Sequence, residues 1–409
     1  MIKLSFKILI AGTFILSACN NEQDTKQANK SDMNYQQGTF GYDLNFLQKH
    51  DSIVVLTSAE TQVIVSPKYQ AKVFTSTANG NLGQSFGWIN YKAFTAPQDA
   101  HMNAYGGENR FWLGPEGGRY SLFFGKGKEM VFNNWKTPAS FDTEAWAVSE
   151  KNNQSVTMQK EMQLTNYAGT VLQLSAKRNV TILNKQAVMD KIGLQPDTAV
   201  RVVGYQTDNT ITNSGKTAWN ETTGMPCIWM LDMFNPSAAT VVVIPYKTDV
   251  NNVTAKIATT DYFGEIPADR IKYKNGILLF KADGKSRGKL GIAPDRAKPV
   301  AGSYDAQNGV LTITLFDVDA NGKYLNQEWN TTKPPFSGDA VNAYNDGPLE
   351  DGSQMGPFYE IESVSPAAFL APGGALSHQH AVFHFTGNKE GLDKIARKVL
   401  NVSLKQISL

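Results

Sequence analysis

Short runs rich in β-branched and aromatic residues recur from Gly38 to the end of the chain, and they limit the fold more than any other feature does. Asn-Gly, Asp-Gly and Gly-Gly pairs, which are typical of tight turns, separate these runs. The clearest segments with the 3.6-residue apolar period of a helix are residues 43–49 and 390–399. The strand-like runs are residues 52–57, 62–66, 119–124, 170–175, 199–205, 240–245, 276–280 and 310–316. We therefore predict a nearly all-β chain built from antiparallel sheets.

Residues 38–409 are expected to form one large domain, because no internal repeat, polar linker or change in composition divides them. With 41% hydrophobic and 19% charged residues, the chain is too apolar to be disordered. The expected architecture is a sandwich of antiparallel sheets.

The N-terminus combines a basic start with a short apolar run. Lys3 and Lys7 precede the apolar residues 8–16, and Leu-Ser-Ala-Cys follows at residues 16–19. This pattern predicts a signal peptide over residues 1–18. Because its ending resembles the bacterial lipobox, in which cleavage leaves an acylated cysteine, Cys19 is the expected lipid anchor. The polar residues 19–37 are predicted to be a flexible tether. We expect a lipid-anchored protein of the bacterial cell envelope, at the outer membrane.

The charge balance argues against a polyanionic partner. Removing residues 1–18 takes away two lysines and no acidic residue, so the 39 basic residues fall to 37 and equal the 37 acidic ones. A chain without net charge gives no reason to expect nucleic acid as a partner. With Cys19 acylated, Cys227 is left alone, which excludes an intrachain disulfide. No pattern predicts a cofactor or an oligomeric state.

Residues 106–118, GGENRFWLGPEGG, have the composition of a binding site. Five glycines allow close backbone approach, while Glu108, Arg110, Trp112 and Glu116 supply two carboxylates, a guanidinium and an indole. Sugars need planar polar partners for adjacent hydroxyls and an aromatic face for their C–H side. The alternative is a glycine-rich corner with Arg110 paired to a neighbouring glutamate and Trp112 in the core.

Two further motifs resemble ligand loops but lack the right context. Residues 317–328, DVDANGKYLNQE, match the calcium-loop pattern, yet a strand-like run precedes them, so we expect an acidic β-hairpin without bound calcium. Gly-Lys-Ser at residues 284–286 lacks the second glycine of a phosphate loop and is expected in a basic hairpin. That hairpin would place in solvent Lys281, Lys285, Arg287 and Lys289.

Three of the five histidines cluster near the C-terminus. His378, His380 and His384 are separated by even numbers of residues, so on a strand all three point to one face. That face is predicted to hold a metal ion, to contact a ligand, or to lie in solvent; zinc would need a further ligand that spacing does not supply.

Residues 359–385 resemble the closing segment of the galactose mutarotase-like proteins, with Glu362 on a strand, Pro366 in the following loop and a Leu-x-Pro-Gly turn at residues 370–373. Residues 106–118 resemble the arginine-bearing sugar segment of that fold, and residues 211–219 its mid-chain strand and turn. With residues 342–348, the set is also similar to a group of lipoproteins from Bacteroides-like bacteria. The resemblance implies a galactose mutarotase-like supersandwich of antiparallel sheets.

The resemblance also implies site residues. Glu362 matches the base that takes the anomeric proton, and Glu360 is the fallback. The histidine acid expected after residues 211–219 is missing, since residues 224–229 read GMPCIW, and His101 can replace it only if the fold brings it close. The predicted sugar-binding residues are Glu108, Arg110, Trp112, Asn345, Asp346, Glu360, His378 and His380.

We therefore expect a membrane-anchored lipoprotein whose domain binds a carbohydrate without standard epimerase activity. One alternative is a carbohydrate-active enzyme that uses Glu362 as base, namely an aldose 1-epimerase, a lyase or a hydrolase. A second alternative is a structural protein of the envelope.

The anchor is tested by Cys19→Ser. Because the lipids attach to this cysteine, the variant should move from the detergent phase to the aqueous phase in a phase-partitioning experiment. Cys227→Ser, which leaves the Leu-Ser-Ala-Cys junction intact, is the control. Unchanged partitioning of the Cys19 variant would contradict the lipid anchor.

Overall fold

The computed structural model describes residues 34–250 and 256–409. The predicted signal peptide, Cys19 and most of the predicted tether lie outside the described residues. Tyr35, near the end of that tether, is buried against the domain. None of the helices in the described part of the chain has the length and apolar character needed to cross a membrane.

Antiparallel strands in the described residues form three sheets. The five-stranded sheet has the order β13-β16-β17-β9-β4, with β4 Arg110–Gly114, β9 Cys227–Phe234, β13 Gly288–Ile292, β16 Val341–Asn345 and β17 Tyr359–Val364. The three-stranded sheet contains β1 Val54–Ser58, β2 Thr61–Ser66 and β3 Lys72–Thr77. The ten-stranded sheet contains β5 Ala147–Lys151, β6 Ser155–Thr165, β7 Val171–Leu183, β8 Val200–Asn213, β10 Thr240–Pro245, β11 Ile271–Lys274, β12 Ile277–Lys281, β14 Val300–Asp305, β15 Val310–Phe316 and β18 Ala375–Gly387.

The ten-stranded sheet is the base of the sandwich. Along β7, buried and exposed residues alternate over most of the strand, as expected for a sheet with one face on the core and one in water. Part of its other face is covered by the helices α2 Lys185–Ile192 and α3 Lys389–Leu400, whose apolar sides pack with Phe383 and Phe385 of β18. A third helix, α1 Phe40–Leu47, packs on β2 and β3.

The five-stranded sheet is covered on both faces. All eight residues of β9 and all six of β17 are buried, although alternate side chains point to opposite faces. Phe111, Met230 and Ile361 point inward and join the main core. The opposite face carries the polar and aromatic side chains of the cleft described below.

The predicted all-β fold with antiparallel sheets is confirmed. The runs 240–245 and 310–316 coincide with β10 and β15, and both predicted helices are present. The predicted strand at residues 119–124 is wrong, because i→i+3 turn bonds such as Ser121 N to Gly118 O, at 3.1 Å, replace strand pairing there. Helix α2 was not predicted, since its two turns are too short to show a period.

Neither predicted hairpin forms. After β15 the chain turns at residues 320–322 and does not return beside β15, whose neighbours are β14 and β18. Residues 282–287 connect β12 in one sheet to β13 in another, so they cross between sheets. Within the described residues, no cluster of three or more histidine, cysteine or acidic side chains is placed to hold a metal ion.

A chain of polar side chains runs through the core between the two large sheets. Arg178 of β7 is fully buried and donates to the carbonyl of Ala71, at 2.9 Å, and to Asn109 Oδ1. Asn109 Nδ2 donates to Asp232 of β9 at 2.6 Å. His380 of β18 lies 2.7 Å from the other oxygen of Asp232. The two sheets are therefore joined by hydrogen bonds as well as by apolar contact.

The three clustered histidines share one face, as predicted, but that face is the interior. Each is buried between the sheets. Ser363 Oγ lies 2.8 Å from His378 Nε2 and from His380 Nδ1, and Glu108 lies 3.0 Å from His384 Nε2. Burial lowers the pKa of His378 to about 3, so its ring is neutral. His378 and His380, predicted to contact the sugar, do not line the cleft described below, because both rings lie between the sheets.

Arg178→Met tests how much this interior network contributes to stability. Removing the guanidinium leaves the amide oxygens of Asn109 and Asn209 without their donor in the core and takes the nearby positive charge from Asp232, so the free energy of unfolding should fall by about 3–5 kcal/mol. Urea denaturation measures the change. Lys177→Met, at an exposed position of the same strand, should change it by less than about 0.5 kcal/mol. Equal effects of the two changes would contradict the prediction.

Candidate functional site

The outer face of the five-stranded sheet is the floor of a cleft of about 540 Å³. Alternate residues on a strand share a face, and directly paired residues on neighbouring strands share it too. The register pairs Trp112 with Trp229 and Leu231 with Glu362, which sets these side chains side by side. The floor residues are Arg110, Trp112, Trp229, Leu231, Met233, Lys289, Tyr344, Glu360 and Glu362.

The Glu362 carboxylate is held by one oxygen. Its Oε2 accepts hydrogen bonds from Lys289 Nζ at 2.9 Å and from Trp229 Nε1 at 2.8 Å. Its Oε1 is buried and has no hydrogen-bond partner among the described residues. The side chain is therefore fixed in place, while its second oxygen receives no hydrogen bond from the described residues.

Lys289 is one of two cations on the floor, the other being Arg110. Its ammonium lies 4.7 Å from the centre of the Trp229 ring and 5.6 Å from that of Tyr262. Burial alone would lower the pKa of Lys289, but the negative charges of Glu362 and Glu116 outweigh burial and raise that pKa above its ordinary value. The prediction that Lys289 lies in solvent is wrong, because β13 places it on the covered face of the sheet.

Arg110 and Glu360 form the second ion pair of the floor. Arg110 Nη2 donates to Glu360 Oε1, and the guanidinium lies 5.2 Å from the centre of the Trp112 ring. Burial raises the pKa of Glu360 to about 7, against the opposing charge of Arg110 and with the help of the negative charge of Glu362. Arg110 Nε has no hydrogen-bond partner within residues 34–250 and 256–409.

Aromatic side chains form one wall. The rings of Trp135 and Trp329 stack with centres 6.1 Å apart, and His101 stacks on Phe132 at 4.5 Å. His101 Nδ1 lies 2.6 Å from the carbonyl oxygen of Trp135 and must be the donor, because a carbonyl only accepts. Trp135 and Trp329 both direct an indole N–H toward the Glu116 carboxyl, and these hydrogen bonds act to lower the pKa of that carboxyl.

Glu116 adds a third carboxylate to the cleft. It belongs to the glycine-rich residues 106–118, and its backbone N–H is held by Gln327 Oε1 at 2.8 Å. Burial raises the pKa of its carboxyl, opposed mainly by the charge of Lys289. Lys289 therefore lies among acidic groups from two elements that are distant in sequence.

Five of the residues predicted from sequence meet in this cleft, namely His101, Arg110, Trp112, Glu360 and Glu362. The period-two spacing of strands brings the last four to one face. His101 comes from the loop before β4, so the fold does bring it to the cleft.

Three other predicted residues lie elsewhere. Glu108 points into the core, where it accepts a hydrogen bond from Ser76 at 2.7 Å, because the chain pairs with β3 at Asn109 before it joins β9. Asn345 is fully buried and holds the turn at Gly284 by a 2.8 Å bond. Asp346 accepts from Gln354 Nε2 at 3.0 Å and fixes a rim loop. None of the three lines the cleft.

Lys289 and Trp229 were missed as site residues. In GKLGI, Lys289 alternates with buried Leu290 and Ile292, and this period-two pattern was the available signal. Trp229 lies in the segment where the resemblance expects a histidine. An indole N–H only donates, so Trp229 fixes Glu362 but has no acid–base role.

The raised pKa of Glu360 should make the stability of the protein depend on pH. Its pKa is about 7 in the folded chain against an ordinary value of 4.5, so the folded state binds more protons between these values, and stability should fall as pH rises from about 4.5 to 7. Glu360→Gln should flatten this slope in urea denaturation at about pH 5, 6 and 7. Glu161→Gln, an exposed change on β6, should preserve it. A slope unchanged by Glu360→Gln would contradict the assignment.

Several solved structures are similar to this chain at low sequence identity. A candidate aldose 1-epimerase from Escherichia coli shares 11% identity over 81% of this chain and 98% of its own, with a TM-score of 0.49. A galactose mutarotase-like protein from Lactobacillus casei shares 10% identity over 81% of this chain and 100% of its own, with a TM-score of 0.48. A galactose mutarotase related enzyme from Lactobacillus acidophilus shares 10% identity over 82% and 97%, with a TM-score of 0.42.

A search of curated proteins finds no match. One family model does match, and it spans almost the whole described domain. Its match covers residues 38–409, so the chain belongs to the family of unknown function DUF6786.

Proposed function

We propose that the cleft binds a carbohydrate. The observation that carries this proposal is a pair of buried polar atoms without partners among the described residues, next to aromatic rings: Glu362 Oε1 and Arg110 Nε. An unpaired buried polar group costs about 1–3 kcal/mol, so such atoms are expected to meet a ligand or water. A sugar hydroxyl both donates and accepts, and thus matches the carboxylate oxygen and the guanidinium N–H alike.

The charges of the cleft favour an uncharged ligand. Lys289 is paired with Glu362, and Arg110 with Glu360, so neither cation is left to attract an anion. Trp112 and Trp229 provide apolar ring surface beside the two pairs. A neutral polyhydroxylated molecule uses both kinds of surface without disturbing the ion pairs.

Binding without standard epimerase activity agrees best with these contacts. The segment that would carry the histidine acid supplies Trp229, which donates to Glu362. The enzymatic alternative, with Glu362 Oε1 as base, is supported by Glu360, since a pKa of about 7 lets this group hold a proton near neutral pH. Both versions place the sugar on the same floor.

We further propose that the protein acts in the cell envelope, anchored through Cys19 as in the similar lipoproteins of Bacteroides-like bacteria. The polar residues that follow Cys19 would hold the domain away from the membrane surface. A neutral mature chain would then reach its ligand without electrostatic steering.

A glycan-array screen of the purified protein, followed by calorimetric titration of the best glycan, tests the binding function. Absence of binding across the array would contradict it. An anomer-exchange measurement by NMR on the bound glycan separates binding from epimerase activity.

Paired substitutions at Glu362 and Lys289 test whether the floor forms the site. Glu362→Gln should weaken glycan binding by about 1–3 kcal/mol, because a charge-assisted bond is lost. It should also lower the free energy of unfolding, by up to about 3–5 kcal/mol, since Lys289 loses its closest counter-charge. Adding Lys289→Met removes the unpaired cation and should restore stability but not binding. If the double variant recovered both stability and glycan binding, or neither of them, the assignment of the floor as the binding site would be contradicted.

A further inference from the structure

The mouth of the cleft is unusually apolar. Four large apolar side chains line it and are also exposed: Phe132 at 58%, Leu349 at 46%, Phe263 at 42% and Met355 at 42%. We call these four residues the rim. Soluble proteins leave single apolar side chains exposed without consequence, but a group of them continuous with a polar cleft marks a contact surface.

The polar groups near the rim are already engaged. Asp99 Oδ1 accepts from the backbone N–H of His101 at 2.7 Å. Gln354 Nε2 donates to the Gly284 carbonyl at 2.8 Å and also holds Asp346. Arg287 stacks on Phe263 at 3.9 Å, so its charge lies against a ring. The rim therefore offers apolar surface with few free polar partners.

The loop that carries Leu349 and Met355 is held in position. Leu349 N donates to the Ser353 carbonyl at 2.8 Å, and Gly356 N donates to Asp346 Oδ2 at 3.2 Å. A Cβ at Gly356 would lie only 2.1 Å from Trp88, so the loop packs closely against the domain. Its apolar side chains are thus presented by a fixed backbone.

We infer that the ligand is an amphiphilic glycoside, whose sugar lies on the polar floor and whose apolar aglycone lies on the rim. This inference rests on the proposed carbohydrate binding. A second sugar unit fits the rim less well, because His101 and Arg287 already cover one face of the Phe132 and Phe263 rings. Leu349 and Met355 present no flat ring and no polar partner. The cleft of about 540 Å³ falls within the range of roughly 300–1,000 Å³ found for sites of drug-sized ligands, which are larger than one hexose.

The test compares methyl and n-octyl glycosides of glucose, galactose and mannose, titrated calorimetrically into the full chain below the critical micelle concentration. For the hexose that binds, the octyl glycoside should bind about tenfold tighter or more, because several methylene groups leave water. The triple variant Phe263→Ser, Leu349→Ser and Met355→Ser should abolish this gain and leave methyl glycoside affinity unchanged. Leu82→Ser, at a residue that is 75% exposed away from the cleft, should change neither affinity.

The outcomes separate the two proposals. Equal affinities for methyl and octyl glycosides would overturn the amphiphilic ligand and leave carbohydrate binding intact. If octyl phosphocholine binds as tightly as the octyl glycoside, the rim is a detergent site and the inference is wrong. If the triple variant instead dissociates an oligomer in sedimentation, the rim is an interface between copies, which also overturns it. Failure of every glycoside, together with an empty glycan array, would refute carbohydrate binding itself.

Discussion

The hydrogen-bonded chain from Arg178 to Asp232 and His380 fixes the five-stranded sheet on the ten-stranded one, and the cleft depends on it. Apolar packing alone is non-directional and tolerates small shifts of one sheet over the other. Buried polar groups do not, because each shift would leave a donor or acceptor unpaired in a medium of low dielectric. Asp232 and Ser363 lie on the inner faces of β9 and β17. Holding these residues therefore also orients Glu362 on the outer face.

On that outer face, two buried ion pairs lie close together, and their burial has an energetic cost. Taking charges out of water is unfavourable, and mutual attraction repays it only when geometry and further hydrogen bonds are good. Glu362 meets this condition with two donors on one oxygen. Glu360 meets it less well, and its pKa rises accordingly. A ligand that supplies hydrogen bonds without charge would offset part of the remaining cost.

The sequence predicted features that depend on a single strand, but it did not predict contacts between residues that are distant in sequence. β-Branched runs and turn pairs predicted β10 and β15, residue chemistry predicted Arg110 and Trp112 as site residues, and the resemblance implied Glu360 and Glu362. Which face of a strand is covered depends on another sheet, so the even spacing of the three histidines did not reveal that they lie in the core.

Lys289 and Glu108 were both misplaced because their partners are distant in sequence. Lys289 was predicted in solvent and lies in the cleft, whereas Glu108 was predicted to bind the sugar and lies in the core. Lys289 followed a basic turn and was assigned to solvent, yet its acidic partners come from residues 73 and 173 positions away in the chain. Glu108 lies two residues before Arg110, so on one continuous strand both side chains would point to the same face. The chain instead pairs with β3 at Asn109, which turns the Glu108 side chain inward. Both outcomes follow from strand pairing between distant segments, for which a single sequence holds no direct signal.

The placement of the ionisable groups in the cleft sets what epimerisation there would require. An epimerase needs an acid and a base on opposite sides of the sugar. Glu360 and Glu362 are two residues apart on one strand, so both approach from the floor. Lys289 is bonded to Glu362 on that floor, and the negative charges around it keep its proton in place. His101 is on the wall, where its Nδ1–H donates to the Trp135 carbonyl. If a sugar lies on the floor as proposed, epimerisation would therefore need His101 Nε2 as the partner of the floor carboxyls, whereas binding alone would not.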